Sequence, residues 1–259
     1  MLSPLAKKEC VTIAAVSGML TVTGVWVGWW WLVGLAIVGG AAGLAFFRDP
    51  ERSIPNQRNV MVSPADGRVS SVHEIDPYEP LGGPAVCVRI FLSVLDVHIN
   101  RSPCHSVVAS VTHKPGRHRN ALNPESAEDN ESTLMVLHHP IRRYPMAAVR
   151  QVAGLLARTV VCGVKEGEIL QRGQRYGLIK LGSTTELYVP KALNPVVRVK
   201  RGEYVYGGMT ILTEVNPLPG KAASSREGAT AVKTRQGTET ADGEGVLPLK
   251  QAARSGATA

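Results

Sequence analysis

A serine that follows a glycine between two strand-like apolar runs can attack its own peptide bond, and residues 177–190, GLIKLGSTTELYVP, hold such a pair at Gly182 and Ser183. The Ser183 hydroxyl can add to the Gly182 carbonyl and move the acyl group from nitrogen to oxygen. The resulting ester can eliminate across Cα–Cβ to dehydroalanine, whose hydrolysis leaves a ketoacyl terminus and ammonia. Only serine yields a pyruvoyl group by this route. Gly182 has no Cβ, which leaves a strained turn and the approach of the hydroxyl less hindered. A base must take the hydroxyl proton, because a free serine is a weak nucleophile near neutral pH. On turn statistics alone Gly-Ser is an ordinary turn dipeptide, so the surrounding segments must carry the reading.

Those segments resemble the phosphatidylserine decarboxylase family in its short, membrane-anchored form. Residues 177–190 resemble the family's processing site, where the bond before the serine breaks and the serine becomes an N-terminal pyruvoyl group. Residues 62–69, VSPADGRV, resemble the segment that bears a catalytic aspartate, and this places it at Asp66. Residues 91–103, FLSVLDVHINRSP, resemble the histidine segment, and this places its histidine at His98. Longer relatives carry a second histidine three residues on, where this chain has Arg101. Taken alone, Asp66-Gly67 is a turn signal, and His98 reads as a half-buried strand histidine with a satisfied hydrogen bond.

The resemblance implies a triad in which Asp66 orients His98 and His98 deprotonates Ser183. It implies that the mature cofactor is a covalent pyruvoyl group derived from Ser183, with neither metal nor pyridoxal phosphate. The amine of a serine head group would condense with it as a Schiff base, and the ketoacyl group would take the electrons as carbon dioxide leaves. His98 would then protonate the former α-carbon as general acid. Cleavage between 182 and 183 would leave two fragments that stay associated, and family analogy implies at least a homodimer.

Such a site needs a scaffold and a route to lipid. From Cys10 to Phe47 no residue is charged, a run roughly twice the ~20 residues that span a bilayer. Gly28 and Trp29 to Trp31 interrupt it near its midpoint, so it predicts two short helices, 11–27 and 31–47, joined by a tryptophan-rich interfacial turn. Lys7 and Lys8 precede the run and Arg48 and Arg52 follow it. Basic residues at both ends place both in the cytoplasm, as a transmembrane or re-entrant hairpin requires. The stretch is too long for the h-region of a cleaved signal peptide. The junction 46–55, FFRDPERSIP, resembles the point where short decarboxylases pass from anchor to catalytic domain.

Residues 51–216 predict a mainly β domain of sandwich or barrel type, α+β once the hairpin at 1–50 is included. Short β-branched runs at 86–92, 107–113, 132–138, 148–153, 158–162, 176–180, 185–189, 196–200 and 210–215 are separated by Gly, Pro or Asn. A weak internal echo supports two similar hairpin units: Lys165-Glu166-Gly167-Glu168 before Gly173 matches Lys200-Arg201-Gly202-Glu203 before Gly208. The long polar segment 114–131 resembles a family loop, and long loops tend to be functional or mobile. There Arg117, Arg119 and Asn120 are candidate contacts to a head-group phosphate, because Arg offers paired donors; a solvated loop explains them equally well.

The net charge of +8 suits a domain resting on an anionic membrane. Nucleic acid is the rival partner for a basic chain, but no recognised motif accompanies the charge. Cys10, Cys87, Cys104 and Cys162 show no C-x-x-C spacing and imply reduced thiols. The histidines form no compact metal motif. Residues 217–259 have the composition of a disordered tail. Together these features predict a membrane-anchored decarboxylase acting on phosphatidylserine at the inner membrane, its catalytic domain facing the cytoplasm. The alternatives are an ether-lipid decarboxylase of archaetidylserine type and a non-catalytic tethered β-domain that binds lipid or protein.

Overall fold

The computed structural model describes residues 2–116, 129–154, 160–180 and 183–216. Gly182, Arg117, Arg119, Asn120 and the 217–259 tail lie outside the described residues. After a 3-10 turn at Pro4–Ala6, helix α1 runs over Lys7–Val27 and helix α2 over Trp30–Phe46. The first helix starts earlier than the apolar run suggests, taking in Lys7, Lys8 and Glu9. Gly28, at φ 77°, ends α1 in the left-handed conformation, and its N–H returns to the carbonyls of Gly24 and Val25.

The two helices pack through small residues. A Cβ on Gly40 would lie 2.2 Å from Ser17 Oγ, and that hydroxyl donates across the hairpin to the Ala36 carbonyl at 3.2 Å. The outward faces stay apolar, with Trp26 88% exposed. A helix apolar all round belongs in an apolar medium. The stretch Pro4–Val27 is long and apolar enough to cross a membrane. Helix α2, with 17 residues, is about 26 Å long at 1.5 Å per residue, short of a hydrocarbon core of about 30 Å.

The strands are β1 Val60–Val62, β2 Gly67–Tyr78, β3 Gly83–Leu92, β4 Ile99–Arg101, β5 Ser106–Lys114, β6 Ser132–His138, β7 Pro145–Val152, β8 Val160–Cys162, β9 Ile169–Leu170, β10 Arg175–Ile179, β11 Ser183–Pro190, β12 Val196–Val197, β13 Tyr204–Val205 and β14 Ile211–Glu214. An antiparallel sheet in the order β13-β2-β3-β11-β7-β6-β5-β9 forms the body. Two three-stranded sheets, β4-β10-β8 and β1-β14-β12, complete it. The fold is mainly β with a helical N-terminus, as the sequence predicts.

Alternation along the strands sorts the core. Val88, Ile90 and Leu92 of β3, Leu187 and Val189 of β11, and Met135 and Leu137 of β6 share one interior cluster. Their neighbours Cys87, Tyr188 and Val136 face a second, smaller cluster on the other side. Strand β11 lies between β3 and β7, and all of its residues are buried. Its one carboxylate, Glu186, accepts from Arg89 Nε at 2.7 Å and from the Tyr188 hydroxyl at 2.6 Å.

The internal echo has a structural counterpart. The Gly167 N–H donates to the Val108 carbonyl and the Val108 N–H to the Glu168 carbonyl; Gly202, Val69 and Glu203 make the same pair of bonds. Ser102 Oγ donates to the Cys104 carbonyl at 2.8 Å and Ser63 Oγ to the Ala65 carbonyl at 2.6 Å. Each unit thus joins a Ser-Pro turn, a strand and a glycine-turned hairpin. Asp66 sits just after the Ser-Pro turn of one unit.

Candidate functional site

Strand β11 begins at Ser183, paired with Leu92 at the end of β3. Ser183 is fully buried, and its Oγ has no hydrogen-bond partner among the described residues. A buried hydroxyl without a partner is costly, and Ser183 shares that state with the Tyr176 and Thr213 hydroxyls; it alone of the three follows a glycine at a strand start. Such an orphan is what a nucleophile waiting for a base looks like.

His98 is also fully buried, where the sequence suggested half-burial. It lies just before β4, and its carbonyl accepts from the Ile179 N–H at 3.2 Å. Its Nδ1 is 2.8 Å from the Asp96 carbonyl oxygen. A carbonyl can only accept, so Nδ1 carries the proton and Nε2 keeps its lone pair. That Nε2 is buried with no partner among the described residues. Burial pushes the imidazole down to about 4, against the opposing Asp96 carbonyl and carboxylate, so the ring is neutral at physiological pH.

The relation between the two orphans follows from their neighbours. Asn100 of β4 donates through Nδ2 to Thr185 Oγ1 of β11 at 3.0 Å, and its Oδ1 accepts from Gln151 Nε2 of β7 at 2.8 Å. His98 precedes Asn100 by two positions and Ser183 precedes Thr185 by two. Strand alternation puts each on the side of its chain where Asn100 and Thr185 meet. Ile179, bonded to His98, packs with Ala153, which follows β7 directly.

Asp66 lies elsewhere in the hydrogen-bond network than the triad expectation placed it. Its carboxylate accepts from Arg52 Nη2 at 2.7 Å and from the Gly207 N–H at 2.7 Å, and it makes no hydrogen bond to His98. Burial raises its pKa, opposed by the Gly207 N–H and the Arg52 guanidinium. The residue that holds the imidazole tautomer is Asp96, through its carbonyl. Its side chain in turn accepts from the Ser93 N–H at 2.7 Å and the Tyr204 hydroxyl at 2.6 Å, which fixes the turn. Asp96 is in the quoted histidine segment, but nothing in its residue type announces a backbone contact.

The hairpin base closes the other side of His98. The Phe46 ring lies 4.4 Å from the imidazole, and Ala6, Cys10 and Phe47 pack with Val97, Ile99 and Leu178. Arg52, read from sequence as a juxtamembrane cation, is instead drawn inward to Asp66. Arg101, where longer relatives carry a histidine, is 5% exposed and holds the hairpin exit. It donates to Asp49 Oδ1 at 2.8 Å and to the Pro50 and Gly173 carbonyls at 3.1 Å. Asp49, 1% exposed, also faces Arg175. Removing one partner of a buried pair costs about 3–5 kcal/mol. Arg101→Ala is therefore expected to lower the melting temperature by roughly 10 °C, measured by tryptophan fluorescence; an unchanged melt would show that solvent reaches Asp49.

Comparison with known proteins agrees with this architecture. Residues 41–213 match the family described as phosphatidylserine decarboxylase. A protein of Granulibacter bethesdensis named phosphatidylserine decarboxylase proenzyme is 38% identical over 72% of this chain and 76% of its own length. A protein of the same name from Carboxydothermus hydrogenoformans is 39% identical over 76% of this chain and 91% of its own. One from Salinibacter ruber is 38% identical over 82% and 94%. With a match that runs from the end of the hairpin through β14, the chain belongs to the phosphatidylserine decarboxylase family.

Proposed function

We propose that the chain is a membrane-associated phosphatidylserine decarboxylase, made as a proenzyme that cuts itself between Gly182 and Ser183. The observation that supports this best is that His98 Nε2, just before β4, and Ser183 Oγ, at the start of β11, are both buried without hydrogen-bond partners among the described residues. His98 Nε2 takes the Ser183 hydroxyl proton as Oγ adds to the Gly182 carbonyl, and gives it to the Ser183 nitrogen as the C–N bond breaks and the ester forms, which frees the imidazole again. The same nitrogen then accepts the Cα proton as the ester eliminates. Asp66, kept close to Arg52 and the Gly207 N–H, supplies a negative charge to the pocket without orienting the imidazole directly.

The residues present suit a group derived from Ser183. When formed, that group supplies a carbonyl able to hold a primary amine and accept the electrons released by a departing carboxylate. His98 in its neutral form is placed to receive and return a proton at the reacting carbon. The buried surroundings, closed by Phe46, exclude water from it.

Cleavage leaves the fold intact because β11 is bonded on both sides. It pairs with β3 from Ser183↔Leu92 to Pro190↔Ala85 and with β7 from Thr184↔Val152 to Tyr188↔Ala148. The fragment from 183 onward also supplies β12, β13 and β14, so the two fragments remain one body. In this reading the protein sits at the inner membrane with its catalytic domain in the cytoplasm, which the apolar hairpin and the basic residues at both of its ends support.

The test is direct. Purified full-length protein in lipid nanodiscs is given phosphatidylserine labelled in the serine carboxyl group. Release of the label as carbon dioxide with formation of phosphatidylethanolamine is expected; folded protein that leaves the lipid unchanged would sink the reading.

A further inference from the structure

An apolar cleft of about 510 Å3 opens at the base of the hairpin, outside the hydrogen-bonded site. Ile13, Ala45 and Phe46 of the helices form one wall and Val94 and Leu95 the other. Arg48 and Lys180 stand at its rim. A second groove, sharing Ile13, continues between the helices past Ser17 and Gly40. Val94 and Leu95 are 44% and 81% exposed at the tip of the turn before His98. An exposed apolar turn beside an apolar hairpin is unexplained in water and suited to a bilayer surface.

Three observations identify the occupant. The walls are apolar, as a hydrocarbon chain requires. The rim carries two cations against one carboxylate: Lys180 Nζ is paired with Glu9 at 2.7 Å, whereas Arg48 bonds only the Ala45 and Leu95 carbonyls among the described residues. The cleft borders the candidate base, since Phe46 both lines it and lies with its ring 4.4 Å from the His98 imidazole, and Lys180 comes three residues before Ser183 in the chain.

We propose that this cleft receives an acyl chain of a phospholipid drawn partly out of the bilayer, with Arg48 and Lys180 holding its phosphodiester. This extends the decarboxylase reading and rests on it for the identity of the head group. In phosphatidylserine only one ester oxygen and one methylene separate the phosphate from the serine α-carbon. A phosphate held at the rim therefore puts the amine and carboxylate at Ser183. The hairpin is then a wall of the substrate site as well as an anchor, which accounts for its packing against the segment that carries His98.

The experiment uses full-length protein in phosphatidylcholine nanodiscs containing phosphatidylcholine with a diazirine in one acyl chain. This probe has the chains and phosphodiester but not the reacting head group, so it reads the cleft independently of decarboxylation. After illumination, labelled residues are mapped by mass spectrometry. Labelling at 42–47 and 94–95 is expected, falling about tenfold in Ala45→Trp while labelling of the outward-facing Ile37 persists. Val94→Ser, at the exposed turn, provides a second variant with little risk to folding and should reduce cleft labelling severalfold. With phosphatidylserine substrates, Ala45→Trp should lower the ratio of kcat/KM for long-chain over chainless glycerophosphoserine about tenfold. Labelling confined to the outward hairpin faces, cleft labelling insensitive to both variants, or an equal loss with both substrates would overturn the proposal. Cleft labelling without carbon dioxide release would leave the lipid cleft standing and remove the decarboxylase reading.

Discussion

Ser183→Ala is expected to leave a single uncut chain of 259 residues with no decarboxylase activity, while the wild type separates under denaturing conditions into fragments 1–182 and 183–259. The smaller wild-type fragment should be lighter by one ammonia than a serine-terminated peptide, because the amino group leaves when dehydroalanine hydrolyses. Loss of activity should exceed the ~10⁴-fold cost of disabling one member of a catalytic triad, since both cofactor and nucleophile vanish together. The substitution removes one buried oxygen that has no partner, so stability should hold or rise slightly. That separates a chemical failure from a folding failure. Ser183→Cys sharpens the case: a thiol can also add to the carbonyl and cut the chain, but hydrolysis need not deliver a pyruvoyl end. An intact wild-type mass in well-folded protein would remove self-cleavage, and with it the proposed enzyme.

What the sequence revealed depended on whether the physics was local. The hairpin was legible because an uncharged run broken by Gly28 and three tryptophans can satisfy its backbone in few other ways. The central strands β3, β6 and β11 were legible because alternating β-branched residues have one reading. Strand β2 was not, although it is the longest: its later half is largely polar, where one face meets solvent, and its aliphatic positions are only Val69, Val72 and Ile75. Strands β9 and β13, with two residues each, are too short to carry a period. Ser183 and His98 were found through the family's motifs, and the structure adds that both are buried without partners. The Arg52–Asp66 and Asp49–Arg101 pairs were out of reach, because contacts 14 and 52 residues apart leave no trace in local composition. The head-group expectation at Arg117, Arg119 and Asn120 falls outside the described residues.

His98 should prove to be the base for self-cleavage, and its burial gives the prediction a pH signature. Its folded-state pKa of about 4 against 6.5 means that Nε2 is already free of its proton at pH 5. Cleavage of freshly synthesised, uncut chain should therefore be flat from pH 5 upward and fall about tenfold per unit below pH 4. An exposed imidazole would instead lose activity from about 6.5 downward, so an inflection there would contradict the buried base. His98→Gln keeps bulk against Phe46 but offers no comparable lone pair, and should slow cleavage by about 10²–10⁴-fold. The same shift is linked to stability. Between pH 6.5 and 4 the unfolded chain holds a proton at His98 that the folded chain lacks, so stability is complete above 6.5 and declines as pH falls through that window. The loss is about 3 kcal/mol, and in His98→Gln this part of the acid sensitivity should disappear. Asp66 works in the opposite direction: its raised pKa makes the ionised form a cost that grows as pH climbs above its unfolded value. A wild-type melt that steepens toward acid, set against a flatter His98→Gln melt, would isolate the histidine from the aspartate. Equal acid sensitivity in both would show that His98 is hydrated, and Asp96 could not then be holding a neutral imidazole ready for Ser183.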